Sequence, residues 1–368
     1  MIVKTITCHD VYNVGASLQA YALAEYLNQS GCEAEIINYK PDYLAHYELF
    51  GTISDRFNRP VLKQMYYGAK LPLRLMQRAT KRKREFDKFT NKFMPLTAEK
   101  YTSFEDLKSN PPKADVFFAG SDQIWNTVFN NGKDPSFYLY FAPGNSVKAS
   151  YAASLSTEKI EEKYRDKIKT WLSNLDYISV RELSGKAVIK DLVSKDVFVN
   201  LDPVFLLKDE FWRKIKSNLK LKDPYILVYD FDGNNEMYDF ARKIAKKTNK
   251  KVYSVFFTGK ADKCFRSEGP LGFLDLVCNA DFVVSNSFHA TAFSLIFQRP
   301  FVVFNRVEKL NIRMRDLLQL AGLDSRLINN ADSDVWKQKI DYSKVAPKLE
   351  VLINESKRYI DMVLESVN

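Results

Sequence analysis

The chain has 368 residues, of which 46% are hydrophobic and 27% are charged, with 13 Gly and 13 Pro. This length and composition predict two globular domains and exclude a low-complexity or disordered chain. The formal net charge of +10 lies in residues 56–92, where twelve Lys or Arg residues face only Glu85 and Asp87. Because the charge is confined to one stretch and no recognisable nucleic-acid-binding module accompanies it, we expect no nucleic-acid partner.

The chain shows no sequence feature of export or of a metal centre. The apolar run at residues 2–7 is too short for a signal peptide, and no later run approaches about 18 apolar residues. The four cysteines are scattered, without the close paired spacing of a zinc site or of a small disulfide scaffold. We therefore expect a cytoplasmic protein with reduced thiols that requires neither a metal nor an organic cofactor.

In chain order, apolar strands alternate with amphipathic helices, a pattern typical of parallel sheets built from βαβ units. The first helix has Ala20, Leu23, Ala24 and Leu27 at helical spacing and can end at Gly31. A second helix is predicted over 158–175. The predicted strands are 2–7, 35–39, 116–119, 148–152, 177–180 and 197–201. Together they predict one open sheet in a first Rossmann-like domain, residues 1–205.

The basic stretch, residues 56–92, interrupts this domain as an insertion. It also carries many apolar residues, so three interpretations are open. It forms a solvated helical insertion, or it lies on an anionic membrane surface at the cytoplasmic face, or it grips an anionic acceptor.

The second half of the chain repeats the alternation and predicts a second Rossmann-like domain, residues 206–345. Its strands are predicted at 225–231, 251–257, 282–285 and 301–304, with a helix at 236–248. The join lies within 202–224. A final apolar-periodic helix, about 348–367 within the segment 346–368, is expected to pack back on the first domain.

Polar segments follow the predicted strands at the edge where doubly wound sheets bind ligands. Asn13 and Gly15 lie in a small-residue turn after the first strand, where the residues fit plain turn-making as well as ligand contact. Ser121, Asp122 and Gln123 bring several hydrogen-bonding groups to the turn after 116–119. We expect these five residues to line the cleft or to contact the acceptor.

The segment after strand 282–285 contains Asn286, Ser287 and His289 at the start of a predicted helix. The other two histidines, His9 and His46, do not follow a clear buried strand, so His289 is the main catalytic candidate. A phosphate or carboxylate bound at this helix N-terminus would favour the imidazolium form and prepare His289 to act as an acid.

An anionic ligand also requires cations, and a guanidinium group matches carboxylate and phosphate best. Arg181 follows a predicted buried strand, and Arg313 lies at the start of a predicted helix. Both are candidates to bind the donor. The alternative for each is a structural ion pair, with Glu182 for Arg181 and with Asp316 for Arg313.

Five motifs in this order and spacing together resemble the polysaccharide pyruvyl transferases. They are Asn13-Val14-Gly15-Ala16-Ser17-Leu18-Gln19-Ala20-Tyr21-Ala22-Leu23, Gly120-Ser121-Asp122-Gln123-Ile124-Trp125-Asn126, Tyr151-Ala152-Ala153-Ser154, Leu201-Asp202-Pro203 and Ser287-Phe288-His289. The resemblance implies a GT-B-like fold, two Rossmann-like domains with parallel sheets facing across a cleft. It also implies transfer of pyruvate from phosphoenolpyruvate, as co-substrate, to two hydroxyls of a sugar in a surface-polysaccharide precursor. The product is a cyclic ketal, phosphate is released, and the sugar is carried on a lipid or a nucleotide.

Within this resemblance His289 is the general acid, and arginines hold the donor. The chain departs from the family pattern at one position, because many members have Arg-Leu-His where this chain has Ser287-Phe288-His289. We expect Arg313 or Arg299 to supply the missing charge, or Ser287 and helix N–H groups to suffice, or the donor to be a different anion.

Two other functions fit the same sequence. A GT-B glycosyltransferase would place the diphosphate of a nucleotide sugar in the same cleft and use the same histidine. A non-enzymatic glycan-assembly or membrane-docking protein would keep the fold and use residues 56–92 for its partners.

Overall fold

The computed structural model describes residues 1–44, 80–256, 258–306 and 312–367. Residues 56–79 of the predicted basic insertion lie outside this part of the chain, and so does His46. Contact of that stretch with a membrane therefore stays a prediction. No helix in the described ranges is long and apolar enough to cross a membrane.

The first domain is built on five parallel strands in the order β3-β2-β1-β4-β5. They are β1 (Ile2–Ile6), β2 (Glu33–Tyr39), β3 (Leu96–Tyr101), β4 (Val116–Ala119) and β5 (Val147–Ser150). The helices of this domain are α1 (Val14–Gln29), α2 (Lys81–Phe93), α3 (Phe104–Ser109), α4 (Glu162–Ser173) and α5 (Leu183–Lys190). Helix α1 ends one residue before Ser30, and Gly31 then takes a φ of +87°, the left-handed conformation that glycine adopts at low cost.

The prediction of one open sheet in this domain is wrong for its last two strands. Strands β6 (Ile178–Val180) and β7 (Val197–Val199) form a separate parallel pair. After β5 the backbone leaves strand geometry at Ala152, where φ is +46°. Between β5 and β6, isolated bridges and side-chain hydrogen bonds take the place of a regular backbone ladder. For example, the Ser179 N–H donates to Oγ of Ser150 at 2.8 Å.

The second domain has six parallel strands in the order β10-β9-β8-β11-β12-β13. They are β8 (Tyr225–Tyr229), β9 (Lys251–Ser254), β10 (Lys263–Cys264), β11 (Phe282–Ser285), β12 (Phe301–Phe304) and β13 (Leu327–Ile328). The helices are α6 (Asp209–Ile215), α7 (Asn235–Thr248), α8 (Gly269–Cys278), α9 (Phe288–Ile296) and α10 (Ile312–Ala321). The bounds predicted for β11 and β12 are confirmed.

The last helix, α11 (Tyr342–Glu365), contacts both domains. At its start the hydroxyl of Tyr342 donates to the carbonyl of Arg299 at 2.7 Å. Near its end the hydroxyl of Tyr359 donates to the carbonyl of Ser150 at 2.8 Å. A 24-residue helix is about 36 Å long, so α11 is long enough to lie across the pair of domains.

Aromatic side chains pack the two domains against each other beside α1. The ring of Tyr21 on α1 lies 5.8 Å from that of Phe89 on α2 and 6.4 Å from Trp212 on α6. Trp212 in turn meets Phe293 on α9 edge to face at 5.1 Å. These buried contacts hold α1 of the first domain close to α9 of the second.

Helix α2 is the described end of the basic stretch and is a packed structural element. Its Phe86 and Phe89 are buried, and Lys81 forms an ion pair with Glu268 at 2.7 Å. The Arg82 guanidinium donates to the carbonyl of Tyr12 at 2.7 Å. For this part of the insertion the structure therefore favours the helical-insertion interpretation.

Candidate active site

A small cavity lies between the two domains at the carboxyl ends of their central strands. In each sheet the strand order reverses between two neighbours, β1 and β4 in the first and β8 and β11 in the second. Segments that follow all four strands meet there, as expected for a ligand site at such reversal points. The cavity has a volume of about 130 Å³. Its lining residues are Asn13, Asp122, Gln123, Phe231, Asn286, Ser287, Phe288, His289, Arg306, Arg313 and Met314.

The N-termini of α1 and α9 point toward this cavity, and each is capped by a polar side chain. Oδ1 of Asn13 accepts from the N–H groups of Gly15 and Ala16 at 2.9 and 3.3 Å. Oγ of Ser287 accepts from the Ala290 N–H at 3.4 Å. Two capped helix N-termini give the cavity a positive local field, which favours an anion.

His289 lies on the cavity wall and is packed against α1 of the other domain. A Cβ atom added to Gly15 would stand 2.0 Å from Nδ1 of His289, so only glycine allows this approach. Gly15 was predicted to line the cleft, but it does not line the cavity. Its role in the structure is to make room for the imidazole.

Asp202 lies beneath His289 and ties it to Arg181. Oδ2 of Asp202 is 3.4 Å from Nε2 of His289 and 2.6 Å from Nη1 of Arg181. Burial of Asp202 favours its neutral form, but His289 and Arg181 outweigh that effect and lower its pKa to about 2. Asp202 is therefore a buried carboxylate that can orient the imidazole and balance its charge. Sequence reasoning missed this role, although the residue lies in the Leu201-Asp202-Pro203 motif.

The two predicted donor-binding arginines occupy different places. Arg313 lines the cavity, whereas Arg181 lies behind the wall with its guanidinium 4.3 Å from the ring centre of Phe288. Arg313 lies 5.9 Å from the same ring. Burial, followed by the nearby charge of Arg181, lowers the pKa of Arg313 to about 10, which still leaves it charged at neutral pH. Arg181 and Arg313 are thus two buried cations beside the same ring, and their mutual repulsion favours an anion next to Arg313.

The structural ion pairs expected as alternatives, Arg181 with Glu182 and Arg313 with Asp316, are not the closest ion pairs of these arginines. Arg181 pairs chiefly with Asp202, and its Nε lies 3.9 Å from Glu182. Arg313 approaches Asp122 at 3.6 Å. Within the described residues its Nε is buried without a hydrogen-bond partner. Asp316 accepts instead from the N–H and hydroxyl of Ser184 at 3.2 and 3.1 Å.

Arg306 is a third cation at the cavity, and sequence reasoning did not find it. Its Nη2 and Nε donate to Oδ1 of Asp232 at 2.8 and 3.1 Å. The guanidinium also lies 5.4 Å from the ring centre of Phe231. The rule that ligands bind beyond the carboxyl ends of strands would have identified it, because Arg306 follows β12 by two residues.

Asn286 shapes the wall of the cavity through its side-chain amide. Its Oδ1 accepts from the Phe231 N–H at 2.9 Å, and its Nδ2 donates to Oδ1 of Asp230 at 2.8 Å. These bonds hold the loop after β8 against the start of α9. Asn286 thus lies at the predicted place and fixes the position of Phe231.

The three predicted residues after β4 separate into two groups. Ser121 is fully buried and donates to the carbonyl of Ala152 at 2.6 Å, so its prediction as a cleft residue is wrong. Its hydroxyl instead ties the segment after β4 to the segment after β5. Asp122 and Gln123 line the cavity and also a neighbouring one of about 470 Å³, which they share with Asn13.

Two further expectations are corrected. Arg299 follows the far end of α9, a nine-residue helix about 13 Å long, and its Nε donates to the Phe297 carbonyl at 3.2 Å. It does not line the cavity and cannot replace the missing family arginine.

His9 does follow a buried strand, β1, and burial lowers its pKa to about 4. It too lies outside the lining of the cavity.

Comparison with known proteins gives a family and a fold. The family model described as polysaccharide pyruvyl transferase matches residues 13–306.

Among solved structures, the chain is similar to the UDP-GlcNAc 2-epimerase of Methanocaldococcus jannaschii in complex with UDP-GlcNAc and UDP. The TM-score is 0.51 at 13% identity, over 100% of each chain. The ADP-heptose LPS heptosyltransferase II of E. coli matches with a TM-score of 0.37 at 11% identity, over 97% of this chain and 100% of that chain. The comparison with curated proteins found no match. The GT-B-like fold is confirmed, with two Rossmann-like domains of parallel sheets.

Proposed function

This chain belongs to the polysaccharide pyruvyl transferase family, and we propose that it moves pyruvate from phosphoenolpyruvate to a sugar of a surface-polysaccharide precursor. The pyruvate becomes a cyclic ketal on two hydroxyls, and phosphate leaves. The proposal rests on the interdomain cavity, where His289 and two arginines meet at a helix N-terminus.

The size of the cavity supports a small donor. Its volume of about 130 Å³ is well below the roughly 300–1,000 Å³ of pockets that enclose drug-sized ligands. A nucleotide sugar is the alternative donor, and UDP-GlcNAc is present in the Methanocaldococcus jannaschii structure. The small volume suits phosphoenolpyruvate, whose carboxylate and phosphate are attached to one carbon, whereas a nucleotide sugar would also have to extend into the neighbouring cavity of about 470 Å³.

The charge of the cavity supports an anionic donor even though Ser287 replaces the family arginine. Arg313 and Arg306 both line the cavity, and the start of α9 adds N–H groups. We assign Arg313 as the principal donor contact, because an anion beside it would offset the proximity of Arg181. Asn286 and Ser287 complete this side of the donor site.

In the first chemical step, a sugar hydroxyl gives up its proton as its oxygen bonds to C2 of phosphoenolpyruvate, and C3 takes a proton from His289. The proton released by the hydroxyl replaces the one that His289 loses. The π electrons of the C2=C3 bond form the new C3–H bond, and the vinyl group becomes a methyl group. Asp202, held as a carboxylate, stabilises the imidazolium before this transfer.

In the second step, a neighbouring sugar hydroxyl attacks C2 and the bond from C2 to the phosphate oxygen breaks. The phosphate leaves with the proton of this second hydroxyl. One donor and one diol thus give one ketal and one inorganic phosphate.

The test begins with donor binding by titration calorimetry, using phosphoenolpyruvate and UDP-GlcNAc with the full chain. Phosphate release is then followed with phosphoenolpyruvate and a panel of methyl hexopyranosides in D₂O. We expect phosphoenolpyruvate to bind, phosphate release to require the sugar, and the product methyl group to carry one deuterium by mass spectrometry.

Each other outcome contradicts the proposal. Binding of UDP-GlcNAc without binding of phosphoenolpyruvate would favour a glycosyltransferase. Binding of neither would favour the non-enzymatic alternative. A product that retains a vinyl group would exclude protonation at C3.

A further inference from the structure

The interdomain cavity of about 130 Å³ is called the donor cavity below, after its proposed ligand. Asp122 lies where it meets the larger cavity of about 470 Å³. Asn13 and Gln123 are the other residues that line both. A group at this junction can contact ligands bound on either side.

The backbone holds Asp122 in a fixed position. Its carbonyl accepts from the N–H groups of Ile124 and Ser154 at 2.8 and 2.9 Å. Its φ of +65° is in the left-handed region, which Asp tolerates better than most residues. The side chain is 16% exposed, so the carboxylate is partly open to the cavities.

Two arginines lie beside the Asp122 carboxylate, on the side of Oδ1. Nη2 of Arg181 and Nη1 of Arg313 lie 3.5 and 3.6 Å from Oδ1. Within the described ranges, the hydrogen bond to this carboxylate ends on Oδ1, and Oδ2 accepts none. Oδ2 is therefore able to accept a proton or a hydrogen bond from a ligand.

The larger cavity has the lining that a sugar requires. Tyr43 and the 48% exposed ring of Phe129 give it an aromatic wall. Asn130, Asn131 and Gln123 supply amide groups for hydroxyls. Its volume lies within the range of about 300–1,000 Å³ typical of ligand pockets.

We propose that Asp122 is the general base for the acceptor, a pyranose diol bound in the larger cavity. This inference rests on the proposed function. As the sugar oxygen bonds to C2 of the donor, its proton moves to Oδ2 of Asp122, and C3 takes the proton of His289. The proton on Asp122 then returns through solvent to His289, so both groups are restored for the next turnover.

Donor binding prepares Asp122 for this role. Arg313 is 3.6 Å from Oδ1, longer than a normal hydrogen bond, and it also lines the donor cavity. When the donor anion attracts Arg313, Asp122 loses part of the positive charge beside it. The carboxylate is then held less tightly by Arg313 and can contact the acceptor.

The test compares Asp122→Asn with the wild-type chain. Asn keeps the shape of Asp and tolerates the left-handed region, so folding should be preserved. Phosphoenolpyruvate affinity is measured by calorimetry, and phosphate release is measured with the methyl hexopyranoside panel. We expect a loss of turnover of about a hundredfold or more, the scale of general base catalysis. Donor affinity should be unchanged or tighter, because a competing anion is removed.

Asp122→Gly provides a second variant that suits a φ of +65°. Added formate should restore part of its turnover, since a small carboxylate can enter the vacated space and accept the proton. The matched control is Asp166→Asn, an exposed position on α4, which should behave as the wild type does.

The outcomes separate this inference from the proposed function. If the wild-type chain does not bind phosphoenolpyruvate, the proposed function itself fails. If it binds the donor but uses no sugar of the panel, the acceptor assignment is overturned. Turnover of Asp122→Asn close to the wild-type rate, donor affinity about tenfold weaker, or no rescue by formate would each overturn the role of Asp122 as base.

Discussion

Gly15 of the first domain lies so close to His289 of the second that a Cβ atom at Gly15 would stand 2.0 Å from Nδ1. The ring is thus pressed against the start of α1 on one side and faces Asp202 on the other, with Nε2 3.4 Å from Oδ2. The orientation of the imidazole depends on both domains, so the catalytic candidate is complete only when they are packed together.

The first prediction follows from this contact. Gly15→Ala places a methyl group where the imidazole now lies, and α1 is held by buried packing, so the histidine must move. We expect turnover to fall about a hundredfold, since misplacement of a catalytic group by about 1 Å can have that effect. Gly144→Ala is the control, because a Cβ atom there has no neighbour within 4 Å. Equal phosphate release by both variants would contradict the contact.

The carboxyl-end rule explains which parts of the site were predictable from the sequence. Strand 282–285 reads as a short apolar run followed by a helix, so His289 at that helix start could be placed at the cleft. The same rule, applied to strand 301–304, reaches Arg306. Both positions depend only on local sequence and on the parallel sheet.

The residues that could not be predicted depend on contacts between distant segments. Asp202 reaches His289 only because the loop after β7 packs beneath α9, and no periodicity reports that packing. Ser121 has the composition of a ligand-binding turn, yet its hydroxyl satisfies the carbonyl of Ala152. Strands β10 and β13 have two residues each, too few to show an alternating pattern.

The second prediction concerns the proton donor. His289→Ala should lower turnover by about a hundredfold or more, the usual scale for loss of a general acid. Donor affinity should fall much less, because the arginines remain. Steady-state phosphate release and calorimetry measure the two effects separately. A near-normal rate with phosphoenolpyruvate would remove His289 from the mechanism, and an unchanged circular dichroism spectrum would establish that the variant is folded.

The third prediction separates Arg313 from Arg299. Arg313→Gln removes the cation that lines the donor cavity, so phosphoenolpyruvate should bind about tenfold to a hundredfold more weakly, since hydrogen bonds to charged groups contribute roughly 1.5–3 kcal/mol. Arg299→Gln makes the same change at the far end of α9 and should leave donor affinity unaltered. Calorimetric titration of both variants tests the assignment. Equal affinities would show that Arg313 is not a donor contact.

The fourth prediction uses the pKa of Asp202, which is about 2 in the folded protein against 3.8 for an ordinary Asp. Because the folded-state pKa is depressed, ionised Asp202 stabilises the fold fully above about pH 4. This contribution is lost as the pH falls toward 2. A difference of this size corresponds to about 2 kcal/mol. Asp202→Asn should therefore show a smaller loss of unfolding free energy than the wild type between pH 4 and pH 2.

The measurement is chemical denaturation at a series of pH values, followed by tryptophan fluorescence. Asp166→Asn serves as the control and should keep the wild-type pH dependence, since Asp166 is exposed. At neutral pH, Asp202→Asn should also be less stable than the wild type, because it leaves the buried Arg181 without its closest carboxylate, at 2.6 Å. Parallel curves for Asp202→Asn and the wild type below pH 4 would mean that Asp202 does not carry this pH dependence. In that case Asp202 would not be the carboxylate that pairs with His289 and Arg181 in the folded protein.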